Sequence, residues 1–328
     1  MRTVTRIALL IVVAGACKEK QAPPPSAPPR QGIEMIHHGA MPHRPLRYQL
    51  AGGVRTAVEL ELDVDMVTPS FQRTMPTTVT VMEVGADEVL ADGSAKVRTK
   101  ILRAMARERP GAEVSLETVN AQAAMLGGVE ITGTLTPRGK VQAPRVEASA
   151  GVPPKTASGI AALVAQAGEV AMPLPEPGVG VGATWRVRRD VVELGIKMET
   201  LTEIEVTSID GPRVGYVMRT EARGDDQRAT IDGTPVDVTK IRGSGTGKGV
   251  LDLSRMVVFG EQSVELGFDV KAMAASGSAQ SSSVTMRTAK RLRPAAAAAA
   301  ATQPEEPDGR PDAGAPAPDR APQDPGAH

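Results

Sequence analysis

Residues 58–66 read Val58-Glu-Leu60-Glu-Leu62-Asp-Val64-Asp-Met66. Apolar and acidic side chains alternate without a break. Successive strand residues point to opposite faces, so Val58, Leu60, Leu62, Val64 and Met66 fall on one side. Glu59, Glu61, Asp63 and Asp65 fall on the other. That pattern predicts an antiparallel strand with one apolar and one wet face. Lys96-Val-Arg-Thr-Lys100-Ile101 is its opposite-charge counterpart. If the two strands are neighbours, acid meets base across their wet faces, at about 0.2–1 kcal/mol per pair.

The same period of two recurs along the chain. A second long strand is expected from Val192 to Val206, with Leu194, Ile196, Met198, Ile204 and Val206 on one face. Shorter runs follow at Arg213–Thr220, Gly249–Leu253, Ser263–Val270 and Ser283–Thr288. Turn signals stand at Ala91-Asp-Gly93, Pro137-Arg-Gly139, Asp210-Gly-Pro212, Asp232-Gly233 and Phe259-Gly260. Two segments carry the helical period instead. In 155–171 the residues Ile160, Leu163, Val164, Ala167, Val170 and Ala171 form one stripe, with Thr156 or Ser158 as cap. Ser115–Leu126 is a weaker helix, stopped by Gly127-Gly128. Long strand, further strands and a late hairpin occur in that order on both sides of the 155–171 segment.

These signals predict a mainly β domain over 46–293: one large antiparallel sheet, curved towards a half-barrel, with the 155–171 helix packed on its concave face. Two tandem β-meanders joined at 172–182, where Pro173, Pro175 and Pro177 cluster, are the alternative. Residues 17–45 hold seven Pro, and 294–328 hold eight Pro and twelve Ala. Such compositions do not bury enough apolar surface to offset chain entropy. The first is expected as an extended tether, the second as a solvated acidic tail.

The 328 residues carry 38 basic and 38 acidic side chains. No field of one sign is available to gather nucleic acid or an anionic surface. The domain region 46–293 contains no Cys and no His. Nucleophile systems built on Ser-His or Cys-His pairs are therefore excluded there, as are imidazole–thiolate zinc and haem sites. The acidic stripe reads as a strand face and Asp225-Asp226, after Gly224, as a turn. Gly243-Ser-Gly-Thr-Gly-Lys-Gly249 departs from a phosphate loop: three residues rather than four separate Gly243 from Gly247, and a strand follows. It is expected as a flexible or bulged edge strand. His37, His38 and His43 lie in the tether without an acidic partner after Glu34, and no metal or cofactor is expected. Eleven Met against six aromatics populate the domain. Met suits surfaces that accept varied apolar ligands. Met66 and Met198, on the apolar faces of the two long strands, are the candidates for lining a lipid or other apolar pocket, ordinary core filling being the alternative.

At the N-terminus a basic stretch, Met1–Arg6, precedes the apolar run Ile7–Ala14 and then Gly15-Ala16-Cys17. Ten apolar or small residues are too few to span a bilayer, which takes about 20. The expectation is an export signal over 1–16. Val13-Ala-Gly-Ala-Cys17 resembles the lipobox of bacterial lipoproteins, with Ala14 where Leu is commoner. In that family the Cys becomes the first mature residue and carries fatty chains on its thiol and amine. The resemblance implies a membrane anchor at Cys17. Ala14-x-Ala16 also fits an ordinary signal-peptidase site with the same cut, which would leave a soluble periplasmic protein. Lys18 follows the Cys where Asp retains lipoproteins at the inner membrane, so the resemblance points to the outer membrane. Further along, Pro173–Trp185 with its Gly182-x-x-Trp185 signature resembles a recurring feature of uncharacterised envelope lipoproteins, where it opens the second half of a β-rich domain. Leu135-Thr-Pro-Arg-Gly-Lys140 fits that pattern too. The expected architecture is also similar to the half-barrel of outer-membrane lipoprotein carriers. The likeness to envelope lipoproteins implies an anchored envelope protein and carries no known activity with it. With no His or Cys in the domain and Met66 and Met198 as candidate lining, the expectation is a non-enzymatic protein that holds a lipid or other apolar ligand, an anchored structural or interaction module with a filled core being the alternative.

Overall fold

The structure is a computed structural model, and it describes residues 32–147, 171–193, 195–231, 234–273 and 279–295. Cys17, the expected signal segment, the expected 155–171 helix except Ala171, and most of the acidic tail lie outside the described residues.

One open antiparallel sheet of fourteen strands makes up the domain. The first meander runs through β2 (Arg55–Val67), β4 (Thr77–Val89), β5 (Ala95–Arg107), β6 (Glu130–Leu135) and β7 (Val141–Glu147). The second runs through β8 (Thr184–Glu193), β9 (Ile196–Asp210), β10 (Arg213–Arg223), β12 (Thr234–Asp252), β13 (Val257–Met273) and β14 (Ala279–Pro294). Strand β14 pairs with β2 from Thr285↔Val67 to Pro294↔Val58 and fuses the two meanders edge to edge. The two expected arrangements thus meet in one: two meanders, one sheet. Short strands β3 (Gln72–Thr74) and β11 (Gln227–Ile231) pair with β2 and β12. Strand β1 (Gly32–His37) adds the outer edge beside β8. The tether expected to reach residue 45 therefore gives way to strand at Gly32, because the alternating Ile33 and Met35 pack against the domain's apolar cluster.

The sheet is curved. A single apolar cluster holds Val97 of β5 and Leu135 of β6 together with Trp185 of β8 and Ile204 of β9. In a flat sheet β6 and β8, nine strand spacings apart in order, would lie about 43 Å from each other. The face bearing these side chains is therefore concave. Glycine on β12 assists the bend. Gly243, Gly245, Gly247 and Gly249 all take this face, and a Cβ on Gly249 would lie 2.0 Å from the Phe259 carbonyl oxygen. This stretch is central in the sheet, between β10 and β13, and corrects the edge-strand expectation.

Two further corrections concern turns. Gly195, with φ of +79°, sits between β8 and β9, so the long strand expected from Val192 starts only at Ile196, after a hairpin. Phe259-Gly260 is no turn but lies inside β13, facing Val250 and Gly249 of β12. The weaker helix does form. α1 spans Leu116–Ala124 against β5, with the Ser115 hydroxyl accepting from the Thr118 amide at 3.4 Å. Its Asn120 carbonyl oxygen accepts from the Ala106 amide at 2.6 Å, beyond the last residue of β5 that pairs with β6.

The acidic face of β2 is not wet. Side-chain exposure is 19% at Glu59 and 6% at Glu61. Arg293 Nη2 lies 2.6 Å from Glu59 and 2.9 Å from Glu61, and Arg107 also reaches Glu61. Arg109 forks onto Asp65 at 2.8 and 3.1 Å. The counter-charges come from β14 and from the end of β5, not from Lys96–Lys100. Lys96 pairs instead with Glu88, and Arg98 and Lys100 with Glu130. β4 intervenes between β2 and β5, so the expected neighbours are one strand apart.

Candidate functional site

The concave face divides into two packed cores and a belt between them. The first core closes one end. Residues 44–53 run across that end as a strap. Arg44 bridges Val179, the Tyr48 amide donates to Pro137 O at 2.8 Å, and the Gln49 amide donates to Leu253 O at 2.9 Å. The strap thereby ties the β8 entry, the β6–β7 hairpin and the β12–β13 turn together. Leu46, Tyr48, Leu174 and Trp185 fill the space beneath it, at 0–3% exposure. The Tyr48 hydroxyl donates to Met172 O at 3.2 Å and accepts from the Met172 amide at 2.7 Å. The Trp185 indole N–H donates to Pro173 O at 3.1 Å. Gly139, at φ +80°, makes the hairpin's close approach: a Cβ there would sit 2.2 Å from Met172 O. The quoted hairpin and Gly-x-x-Trp motifs are thus both parts of this closed end.

The second core, at the far end of the long strands, gathers Ile196, Met198, Ala222, Val238, Leu266 and Phe268. Met198 is packed within it at 5% exposure. Met66 is half-buried on the same concave face, opposite Met286 of that core. The two methionines expected to line a pocket therefore share a face and a level, and one of them is core.

Between the cores run three rows of register partners. Tyr216, Gly249, Gly260, Leu292 and Leu60 form the first; Met218, Gly247, Gln262, Lys290 and Leu62 the second; Thr220, Gly245, Val264, Thr288 and Val64 the third. Leu60, Leu62, Met218, Val264 and Leu292 are half-buried, neither sealed nor free. Thr220 shares a 3.0 Å hydrogen bond with Thr202. Where Gly249 and Gly260 adjoin, the sheet is only backbone thick. On the opposite, convex side of this thin stretch lies a shallow, open groove of about 630 Å³, walled mainly by Val217, Lys248, Val250, Glu261, Arg291 and Arg293, so it is not part of the belt. Burial pushes the Tyr216 phenol up to about 12. On β8 the same face carries Arg189, whose guanidinium burial shifts downward.

This belt offers apolar surface, hydroxyls, one amide and an ammonium. It can hold an elongated amphiphile. The alternation in 58–66 placed Leu60 and Leu62 on the belt, but Gln262 and Lys290 escaped notice because each is a polar residue that interrupts an otherwise apolar strand face.

The remaining candidates lie elsewhere. Asp225 and Asp226 are exposed, and Asp226 accepts from the Lys240 amide at 3.3 Å. His43 donates to Gly39 O at 3.0 Å and His38 to Gly178 O at 3.2 Å, so both histidines brace the entry to the strap. Among the described residues no group of three or more His, Cys, Asp or Glu side chains is placed to hold a metal, and no helix is long and apolar enough to cross a membrane. Neither a family model nor a curated protein matches the chain.

Proposed function

We propose that the chain is a lipid-anchored bacterial envelope protein that holds a lipid or other apolar ligand on the concave face of its sheet, without catalysing a reaction. The half-exposed apolar belt between the two cores carries this reading. Burying such side chains is worth about 25 cal/mol per Å², and a folded chain that leaves a concave row of Leu and Met partly open has surface to offer a ligand. Anchorage rests on Cys17 and its resemblance to a lipobox. Two or more acyl chains hold far more firmly than one, and Lys18 favours the outer membrane. A second reading has support from the filled end of the sheet: with Trp185 and Leu174 sealed beneath the strap, the domain serves as an anchored structural or interaction module.

The test is expression of the full chain in a bacterial host, with fractionation and native mass spectrometry. Wild type is expected in the membrane fraction, with lipid mass bound to the domain, and Cys17→Ser in the soluble fraction. A Cys17→Ser protein that still sediments with membranes sinks the anchor. Absence of co-purifying lipid sinks the ligand and favours the module.

A further inference from the structure

We propose that the belt takes a single-chain lipid with an anionic head, and that Lys290 receives the head. This inference rests on the ligand-holding function proposed above. Along the concave side of β14 stand Val284, Met286, Thr288, Lys290 and Leu292, so the ammonium interrupts an otherwise uncharged row. The cations on the convex side of the same strand are matched: Arg287 to Glu265, Arg291 to Glu61, and Arg293 to Glu59 and Glu61. No described carboxylate lies within 4.0 Å of Lys290, and the three belt rows contain no Asp or Glu.

The register partners of Lys290 are Gln262 on β13 and Leu62 on β2. Directly opposed residues on one sheet face have Cβ atoms about 5 Å apart. The Gln262 amide and the Lys290 ammonium can therefore grip one head group together. Leu60 and Leu292 lie one row to one side, and Val64, Val264 and Thr288 one row to the other. An acyl chain laid along them removes apolar surface from water, and a carboxylate at Lys290 supplies the counter-charge that this face lacks. A neutral head leaves the ammonium uncompensated. Charge-assisted hydrogen bonds are about twice as strong as neutral ones, which sets the expected preference.

The probes are oleate and oleyl alcohol, titrated below their aggregation concentrations against the full chain, the Lys290→Gln variant and the Lys290→Arg variant. Wild type is expected to bind oleate about tenfold more tightly than oleyl alcohol, a difference of about 1.4 kcal/mol. Lys290→Gln should bind both alike, at the wild-type affinity for the alcohol, and Lys290→Arg should keep the preference for oleate. Equal binding of the two probes by wild type, or a preference that survives in Lys290→Gln, overturns the role of Lys290 and leaves ligand holding intact. Binding of neither probe overturns both.

Discussion

Replacing Tyr48 with Phe removes one oxygen from the closed end of the sheet. That oxygen is the partner of both the Met172 amide, at 2.7 Å, and the Met172 carbonyl, at 3.2 Å. Tyr48 is 3% exposed, so water does not readily replace it. An unsatisfied buried backbone group costs about 1–3 kcal/mol. Orphaning both, with some relaxation, gives a loss of about 3 kcal/mol, a large part of the roughly 5–15 kcal/mol that holds a domain together. Tyr216→Phe is the matched control. Tyr216 belongs to the same apolar cluster at 4% exposure, but its hydroxyl makes no hydrogen bond among the described residues. Its loss should cost under about 0.5 kcal/mol, as for substitutions that leave no partner unpaired. Urea unfolding followed by the fluorescence of Trp185, the single Trp, measures both. The midpoint should fall for Tyr48→Phe at an unchanged slope. Equal effects of the two substitutions, or a Tyr48→Phe loss below about 0.5 kcal/mol, would refute the strap as a hydrogen-bonded closure.

Two further expectations concern the bend and the phenols. Gly249→Ala places a methyl 2.0 Å from Phe259 O and 2.9 Å from the Gly260 Cα; it should destabilise by about 3 kcal/mol. At Gly267 the nearest atom is 3.8 Å away, so Gly267→Ala should be neutral or stabilise by about 0.5 kcal/mol, and thermal unfolding of the pair checks the contrast. Burial raises both phenols above their usual 10.0, Tyr216 to about 12 and Tyr48 further. A raised folded-state value means that the neutral form stabilises the fold, in full below pH 10.0, and that this contribution is lost as pH climbs through the folded value. Tyrosinate absorbance should therefore lag behind that of free tyrosine and rise with alkaline unfolding. A normal phenol titration in the native protein would contradict the burial.

The sheet was legible in the sequence because its strands are amphipathic, and alternation in 58–66 needs no tertiary context. What alternation does not encode is the partner. β2 pairs with β14 through residues more than two hundred positions away, and only that register places Arg291 and Arg293 over Glu59 and Glu61. Turns were read from Gly and Pro, which misled at Phe259-Gly260 because that glycine serves close packing of strand backbones rather than chain reversal. It misled again at Gly195, where one residue with positive φ divides what looks like a continuous strand. β1 was hidden by the prolines around it. Met66 and Met198, the candidates read from the sequence, lie on the same face as the belt, but at the level of the second core. Lys290 and Gln262 carry no local signal, since each breaks the apolar alternation of its strand, and a break in alternation does not say which face it lies on until the register is known.

The clasp between Arg293 and Glu61 spans 232 residues. At about 5–20 residues per second, a ribosome needs on the order of ten to fifty seconds to deliver the arginine after the glutamate. Throughout that interval the β2 edge of the nascent first meander is open and Glu59 on it lacks its arginine, a charge on an edge strand that discourages premature pairing with other chains. Assembly is consequently gated by β14, the last of the described strands to be made, and a product cut short before residue 285 never acquires its seam.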